Sequence, residues 1–145
     1  MSIEGKQQEL IDHFGFFSDW MDKYEEIISM GKELTVLDEK YKVDENLIRG
    51  CQSRVWLHAY VDGGLVFFEA DSDALITKGL VAMMVQVLSG QKPEDIVHAD
   101  IHFIHDIGLI HHLSPTRSNG LMAMIKQMKH YAAAIHSTNQ TGKYK

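Results

Sequence analysis

The sequence predicts a small α+β fold: an antiparallel β-hairpin packed against α-helices. Three observations predict it. Residues Ser53 to Tyr60 alternate, with Val55, Leu57 and Ala59 on one side and Arg54, Trp56, His58 and Tyr60 on the other. Asp62-Gly63-Gly64 supplies a turn, and a second aliphatic and aromatic run follows from Leu65 to Ala70. A lone hairpin is marginal in water, so the helix-patterned stretches on either side must back it. A chain of 145 residues suits one domain with one core, residues 1–145.

The elements follow in order. Glu4 to Phe14 reads as a first helix, with Ile3, Leu10, Ile11 and Phe14 on its apolar side. Ser18 suits an N-cap for a second helix, in which Trp20, Tyr24, Ile27 and Ile28 fall at helical spacing and Gly31 marks the stop. Leu34 to Leu47 is mixed and polar, an irregular connection with short apolar anchors. After the hairpin, Asp71-Ser72-Asp73 offers an N-cap and first-turn acids to a helix from Ala74 to Leu88. Only Thr77, Lys78 and Gln86 are polar there, so this helix should lie buried against the sheet. Gly79 inside it costs about 1 kcal/mol relative to alanine, which points to a close packing contact. Pro93 opens a further helix carrying Ile96, Val97, Ile101, Phe103, Ile104 and Ile107, and Asp100 offers a cap for a new turn near Ala99-Asp100. Ser114-Pro115 starts the last helix, with Leu121, Met124, Ile125, Met128, Ala132 and Ile135 on one side. Residues from about 137 to 145 form a polar tail.

Composition narrows the function classes. Apolar residues make up 45% and charged residues 23%, the balance of an ordinary globular chain. The first ten residues, MSIEGKQQEL, do not read as a signal peptide, and the apolar run Leu80 to Leu88 is too short to span a bilayer. A reduced, cytoplasmic, soluble protein is expected, with no membrane. The net charge of −6 argues against nucleic acid. No Asp or Glu follows Asp106, whereas Arg117, Lys126, Lys129, Lys143 and Lys145 do. That basic stretch reads as a solvated helix face in preference to a nucleic-acid patch, which would need denser Lys/Arg and interleaved aromatics; a docking face for an acidic protein is a further alternative.

The one cysteine, Cys51, stands between Gly50 and the polar run Gln52-Ser53-Arg54. A single Cys excludes an intramolecular disulfide and a Cys-only metal or iron–sulfur site within one chain. Most free cysteines are small buried hydrophobes, and packing is the plain reading. Gly50 opens the backbone, however, and Arg54 adds a positive charge that would favour a thiolate if it lay nearby. Among thiol chemistries, a hydrolase needs a paired histidine, and no spacing singles one out of the nine. A phosphatase loop needs an arginine six residues on, where Leu57 stands. A peroxide sensor usually needs a resolving thiol. A sulfur carrier needs only one accessible thiolate, which attacks a persulfide and later hands the sulfur on. His98, His102 and His105 fall at i, i+4, i+7, opposite an isoleucine-rich face. They read as a solvent stripe, with a metal-binding regulator as the alternative. Asp71 and Asp73 are accounted for by capping alone. Arg117 sits in the first turn of a helix, where the dipole disfavours a cation.

Three stretches together resemble the SufE family of cysteine desulfuration proteins. They are Gly50-Cys51-Gln52-Ser53-Arg54-Val55-Trp56-Leu57, Asp71-Ser72-Asp73-Ala74 with Lys78-Gly79-Leu80, and His112-Leu113-Ser114-Pro115-Thr116-Arg117-Ser118-Asn119-Gly120-Leu121. The resemblance runs from Phe17-Ser18-Asp19-Trp20 to the last helix. It implies the fold shared with IscU-like scaffolds and a role in iron–sulfur cluster assembly. A SufS-like desulfurase would pass a persulfide sulfur to Cys51, and a SufBCD-like scaffold would receive it. Pyridoxal phosphate would belong to the desulfurase, with no cofactor or metal held here and no independent turnover. Gly50, Gln52, Ser53, Arg54, Asp71, Asp73 and Arg117 are expected near the cysteine loop or the docking face. The family commonly has Gln where Arg54 stands. A CsdE-like protein serving a different desulfurase and a non-catalytic binding module with a structural Cys51 are the alternatives, and the resemblance admits a homodimer.

Overall fold

The computed structural model describes residues 1–51 and 53–140. Among them are six α-helices and a two-stranded antiparallel sheet, an α+β fold as the sequence predicts. Helix α1 (Ile3–Gly15) starts at Ser2, whose hydroxyl accepts the Gly5 N–H at 3.0 Å, and buries Ile3, Leu10 and Phe14. Helix α2 (Trp20–Lys32) is capped by Asp19, not Ser18: the Asp19 carboxylate accepts the Met21 N–H at 3.1 Å. The connection that follows holds two 3₁₀ turns, Glu39–Tyr41 and Asp44–Asn46.

Strands β1 (Val55–Asp62) and β2 (Leu65–Ser72) pair from Val55 opposite Ser72 to Asp62 opposite Leu65. Gly63 and Gly64 both take positive φ, 58° and 80°, as the primed two-residue turn of a twisted hairpin requires. The inner face buries Val55, Leu57, Val66, Phe68 and Ala70. Helix α3 (Leu75–Leu88) packs on that face and on α2. The close contact expected at Gly79 is with α2: a Cβ on Gly79 would stand 2.0 Å from the Ile27 carbonyl oxygen. Gly31 serves the same crossing from the other side, where a Cβ would stand 2.8 Å from the Gly79 nitrogen. It is therefore a packing residue inside α2 and not a helix stop.

Two further readings need correction. Asp71-Ser72-Asp73 does not cap α3. Asp71 and Ser72 still belong to β2, and the N-cap is Ala74, which makes no side-chain cap. The break that the sequence offers near Ala99-Asp100 is present, with His102 and not Asp100 at the N-cap: the chain after Pro93 forms two short helices, α4 (Pro93–Val97) and α5 (Phe103–Ile107). His98 follows α4 and His102 precedes α5, so no continuous helix aligns a histidine stripe. The break is stabilised by Gln7 on α1, which is 0% exposed. Its amide donates to the Asp100 carbonyl at 3.0 Å and accepts the N–H groups of His102 and Phe103 at 2.8 and 3.1 Å. His102 also bridges Glu4 and Asp106, with its Nε2 2.8 Å from Glu4 Oε1.

Helix α6 (Pro115–Gln140) begins where Ser114 accepts the Arg117 N–H at 3.2 Å. It buries Leu121, Met124, Ile125, Met128 and Ala132. It continues past Ser137, where the sequence predicts a tail; residues 141–145 lie outside the described residues. No described helix is long and apolar enough to cross a membrane.

Candidate functional site

Cys51 sits in a short loop whose two ends are tied down. On one side, Ile48 donates its N–H to the Val55 carbonyl at 2.9 Å, and Leu47 bridges to Trp56 on the outer edge of β1. On the other, the Asp73 carboxylate accepts the Arg54 N–H at 3.1 Å while Asp73 donates its own N–H to the Arg54 carbonyl at 3.3 Å. The chain reverses between these ties with Gly50 at φ +94°, a conformation a side chain would strain. There is room for a Cβ at Gly50, since its nearest neighbour would be the Ala123 methyl at 3.6 Å. The backbone angle, not space, demands glycine.

The thiol is half-buried against α6. Its sulfur lies 3.6 Å from the Gly120 carbonyl oxygen, in range for a weak S–H donor. A Cβ on Gly120 would come within 3.1 Å of that sulfur, so this glycine leaves the thiol its seat. Burial pushes the Cys51 thiol above its ordinary pKa, because the thiolate is the form that loses hydration. Arg54 does not counter this: its side chain is exposed and makes no contact with the thiol. The positive charge read beside Cys51 from the sequence therefore does not activate it.

A cavity of about 310 Å³ opens beside the sulfur. Its apolar wall includes Val55, Leu80, Val81 and Met124; its polar rim carries Ser53, Thr77, Ser114, Thr116 and Arg117. On the other side of the same loop lies an open groove of about 490 Å³, lined by Asp44, Arg49, Gly50, Cys51, Ser53 and Arg54 among others. Cys51 and Ser53 form the partition between the two.

The structure thus brings Gly50, Ser53, Arg54 and Arg117 around Cys51, and ties Asp73 to the loop through the Arg54 backbone. Gln52 lies outside the described residues. Asp71 is elsewhere engaged: it faces Lys42 at 3.0 Å and Lys78 at 3.3 Å and accepts the Ser72 N–H at 2.8 Å. Those partners hold its carboxyl below the usual carboxylate range against the opposing effect of burial. It braces the connection before β1 to β2 and α3 and lines neither concavity.

Asp44, Arg49, Thr77, Ser114, Thr116 and Gly120 also line the site and were not expected there from the sequence. Thr77 had a signal, a polar residue in a helix otherwise apolar. Gly120 had another, a glycine inside a helix with no capping task. Among the described residues no cluster of His, Cys, Asp and Glu is arranged to hold a metal ion.

An α+β fold that presents one half-buried thiol beside two concavities defines a single-thiol protein. The comparisons place it more closely. The family described as SufE, an Fe-S metabolism associated domain, matches residues 8–132, and the chain belongs to that family. It is 40% identical over 126 residues to an uncharacterized SufE-like protein of Rhizobium meliloti (strain 1021), an alignment covering 83% of this chain and 90% of the relative. It is 42% identical over 125 residues to SufE-like protein 1, chloroplastic/mitochondrial, of Arabidopsis thaliana, covering 86% of this chain but 34% of that longer protein. The solution structure of a hypothetical protein from Thermus thermophilus shares the fold, with a TM-score of 0.76 at 18% identity over 91% of this chain and 96% of that one.

Proposed function

We propose that the protein accepts sulfur on Cys51 from a cysteine desulfurase and carries it to an iron–sulfur cluster scaffold. The observation that carries the reading is the seat of the sole thiol: half-buried, on the Gly120 carbonyl, beside a cavity with an apolar wall. Membership of the SufE family supports it.

In the transfer step, the Cys51 thiolate attacks the outer sulfur of the desulfurase persulfide. A sulfur–sulfur bond forms to Cys51, and the bond to the donor's own sulfur breaks. That sulfur leaves as a thiolate, the outer sulfur keeps its proton, and no oxidant or reductant is consumed. The same step, with Cys51 now the donor, passes the sulfur to the scaffold. Pyridoxal phosphate stays on the desulfurase. The cavity has room for one added sulfur atom. Burial favours the protonated form of the resting thiol, and docking that relieves this burial would favour the attacking thiolate.

The test is mass spectrometry of this protein after incubation with a purified SufS-type desulfurase and cysteine. Mass increments of whole sulfur atoms should appear on Cys51 and be absent in Cys51→Ser. Loading that persists in Cys51→Ser would sink the reading. The competing CsdE-like assignment is separated by repeating the assay with a second class of desulfurase.

A further inference from the structure

The chain contains three arginines, Arg49, Arg54 and Arg117. Arg49 and Arg54 lie on the loop that carries Cys51 and Arg117 at a helix start far along the chain, yet each lines one of the two concavities that share Cys51. All three side chains are exposed. The chain holds 20 acidic residues against 14 basic ones, so internal partners are plentiful. Lysines and histidines take them: Lys42 and Lys78 pair with Asp71, His13 with Glu26, and His102 with Glu4 and Asp106. Among the described residues, no arginine side chain makes an ion pair or a hydrogen bond. Asp44 lines the same groove as Arg49 and Arg54 but pairs with neither, and the Asp73 carboxylate takes the Arg54 backbone N–H in place of its guanidinium.

Guanidinium groups recognise carboxylates through paired, planar hydrogen bonds, so three free ones make a surface complementary to acid. We propose that the two concavities flanking the Cys51 loop form one docking surface for an acidic face of a protein partner. Arg49 and Arg54 read that face on one side of the thiol and Arg117 on the other. A protein is favoured over a small anion because the arginines are divided between two concavities that share only Cys51 and Ser53 in their lining, so one small ligand seated in either would leave the other's arginines unengaged. The identity of that partner as the sulfur donor rests on the function proposed above; the acid-binding surface does not.

Two measurements test it. The first uses the Cys51→Ser protein, which cannot load sulfur, and reads its affinity for a SufS-type desulfurase. Replacing all three arginines by glutamine should weaken binding by about tenfold or more, as expected for the loss of several rim charges. Arginine-to-lysine replacements should recover part of that loss, and affinity should fall as salt rises. Lys32→Gln, on an exposed position of α2 away from both concavities, should change nothing. The second needs no desulfurase: an oligoglutamate peptide should slow phenylglyoxal modification of Arg49, Arg54 and Arg117 at low salt, and oligolysine should not. Desulfurase affinity unchanged by the triple replacement and insensitive to salt, with no protection by oligoglutamate, overturns the proposal. It is equally overturned if the replacements impair only uptake of sulfur from free cysteine persulfide, which would assign the arginines to a small anion. Sulfur loading that fails while oligoglutamate still protects would remove the carrier reading and leave this surface standing.

Discussion

The contact between α1 and α5 and the region around Cys51 use polar side chains in opposite ways. At the first, the key polar groups are spent on other parts of the chain. Gln7 makes three hydrogen bonds in the interior, and His102 lies between two carboxylates. At the second, the thiol has one long contact, the arginines have no side-chain partner among the described residues, and a cavity stands open. Satisfied polar groups hold a fold together; unsatisfied, exposed ones leave binding capacity for another molecule. The difference separates the part of the surface that stabilises from the part that acts.

The largest effect should come from the paired side. Gln7→Ala strands the Asp100 carbonyl and the N–H groups of His102 and Phe103, and should cost about 2–4 kcal/mol in denaturant unfolding. Sulfur loading of the surviving folded protein should stay unchanged. A loss of loading at matched folded fraction would break the separation. On the other side, Cys51→Ser should abolish loading yet cost about 1 kcal/mol or less, because the thiol is half-buried and weakly bonded.

Smaller effects sharpen the contrast. Gly120→Ala brings a methyl within 3.1 Å of the Cys51 sulfur, so the loop must give way outwards. A thiol reagent should then react a few-fold faster, and the stability change should be slight. Alkylation of Cys51 in the native protein should reach its plateau at a higher pH than in the unfolded chain, since burial raises the folded pKa. Coincident pH profiles would mean that the thiol is already hydrated at rest.

The smallest effect is at His102, whose pKa is raised by the hydrogen bond to Glu4 first and by that to Asp106 second. A raised folded pKa contributes stability that is fully present below the unfolded value of about 6.5 and is lost as pH rises through the folded value. The parent should therefore melt above His102→Gln in mild acid, and the gap should close towards alkaline pH. An exposed site of this kind contributes no more than about 1 kcal/mol. A gap that widened with pH would reverse the assignment.

The hairpin, its glycine turn and the start of α6 were legible because each is a local pattern. Alternation, two adjacent glycines and a Ser-Pro pair carry their own geometry within a few residues. The close contact at Gly79 was legible too, since a glycine inside an apolar helix needs a reason, but its partner Gly31 was misread as a stop. The cap of α3 was misread, whereas the break near Ala99-Asp100 was legible and only the alignment of the three histidines across it was not. Local propensity favours an Asp-rich helix start, and tertiary bonds overrode it. Lys42 and Lys78 engage Asp71, the Arg54 backbone engages Asp73, and Gln7 takes the backbone groups that free the chain to break between α4 and α5.

By itself the sequence determined that there is one thiol, that it follows a glycine at the entry to a strand, and which family the surrounding motifs resemble. It could do so because those facts are counts and short-range order. Only the tertiary structure decided that Cys51 rests on Gly120, that a cavity stands beside it, and that Arg49, Arg54 and Arg117 gather around it. Those contacts join residues 69 positions apart in the case of Cys51 and Gly120. Their proximity is set by how α3 packs on the sheet and α6 on α3 and α4, and no short-range pattern in the chain encodes that packing.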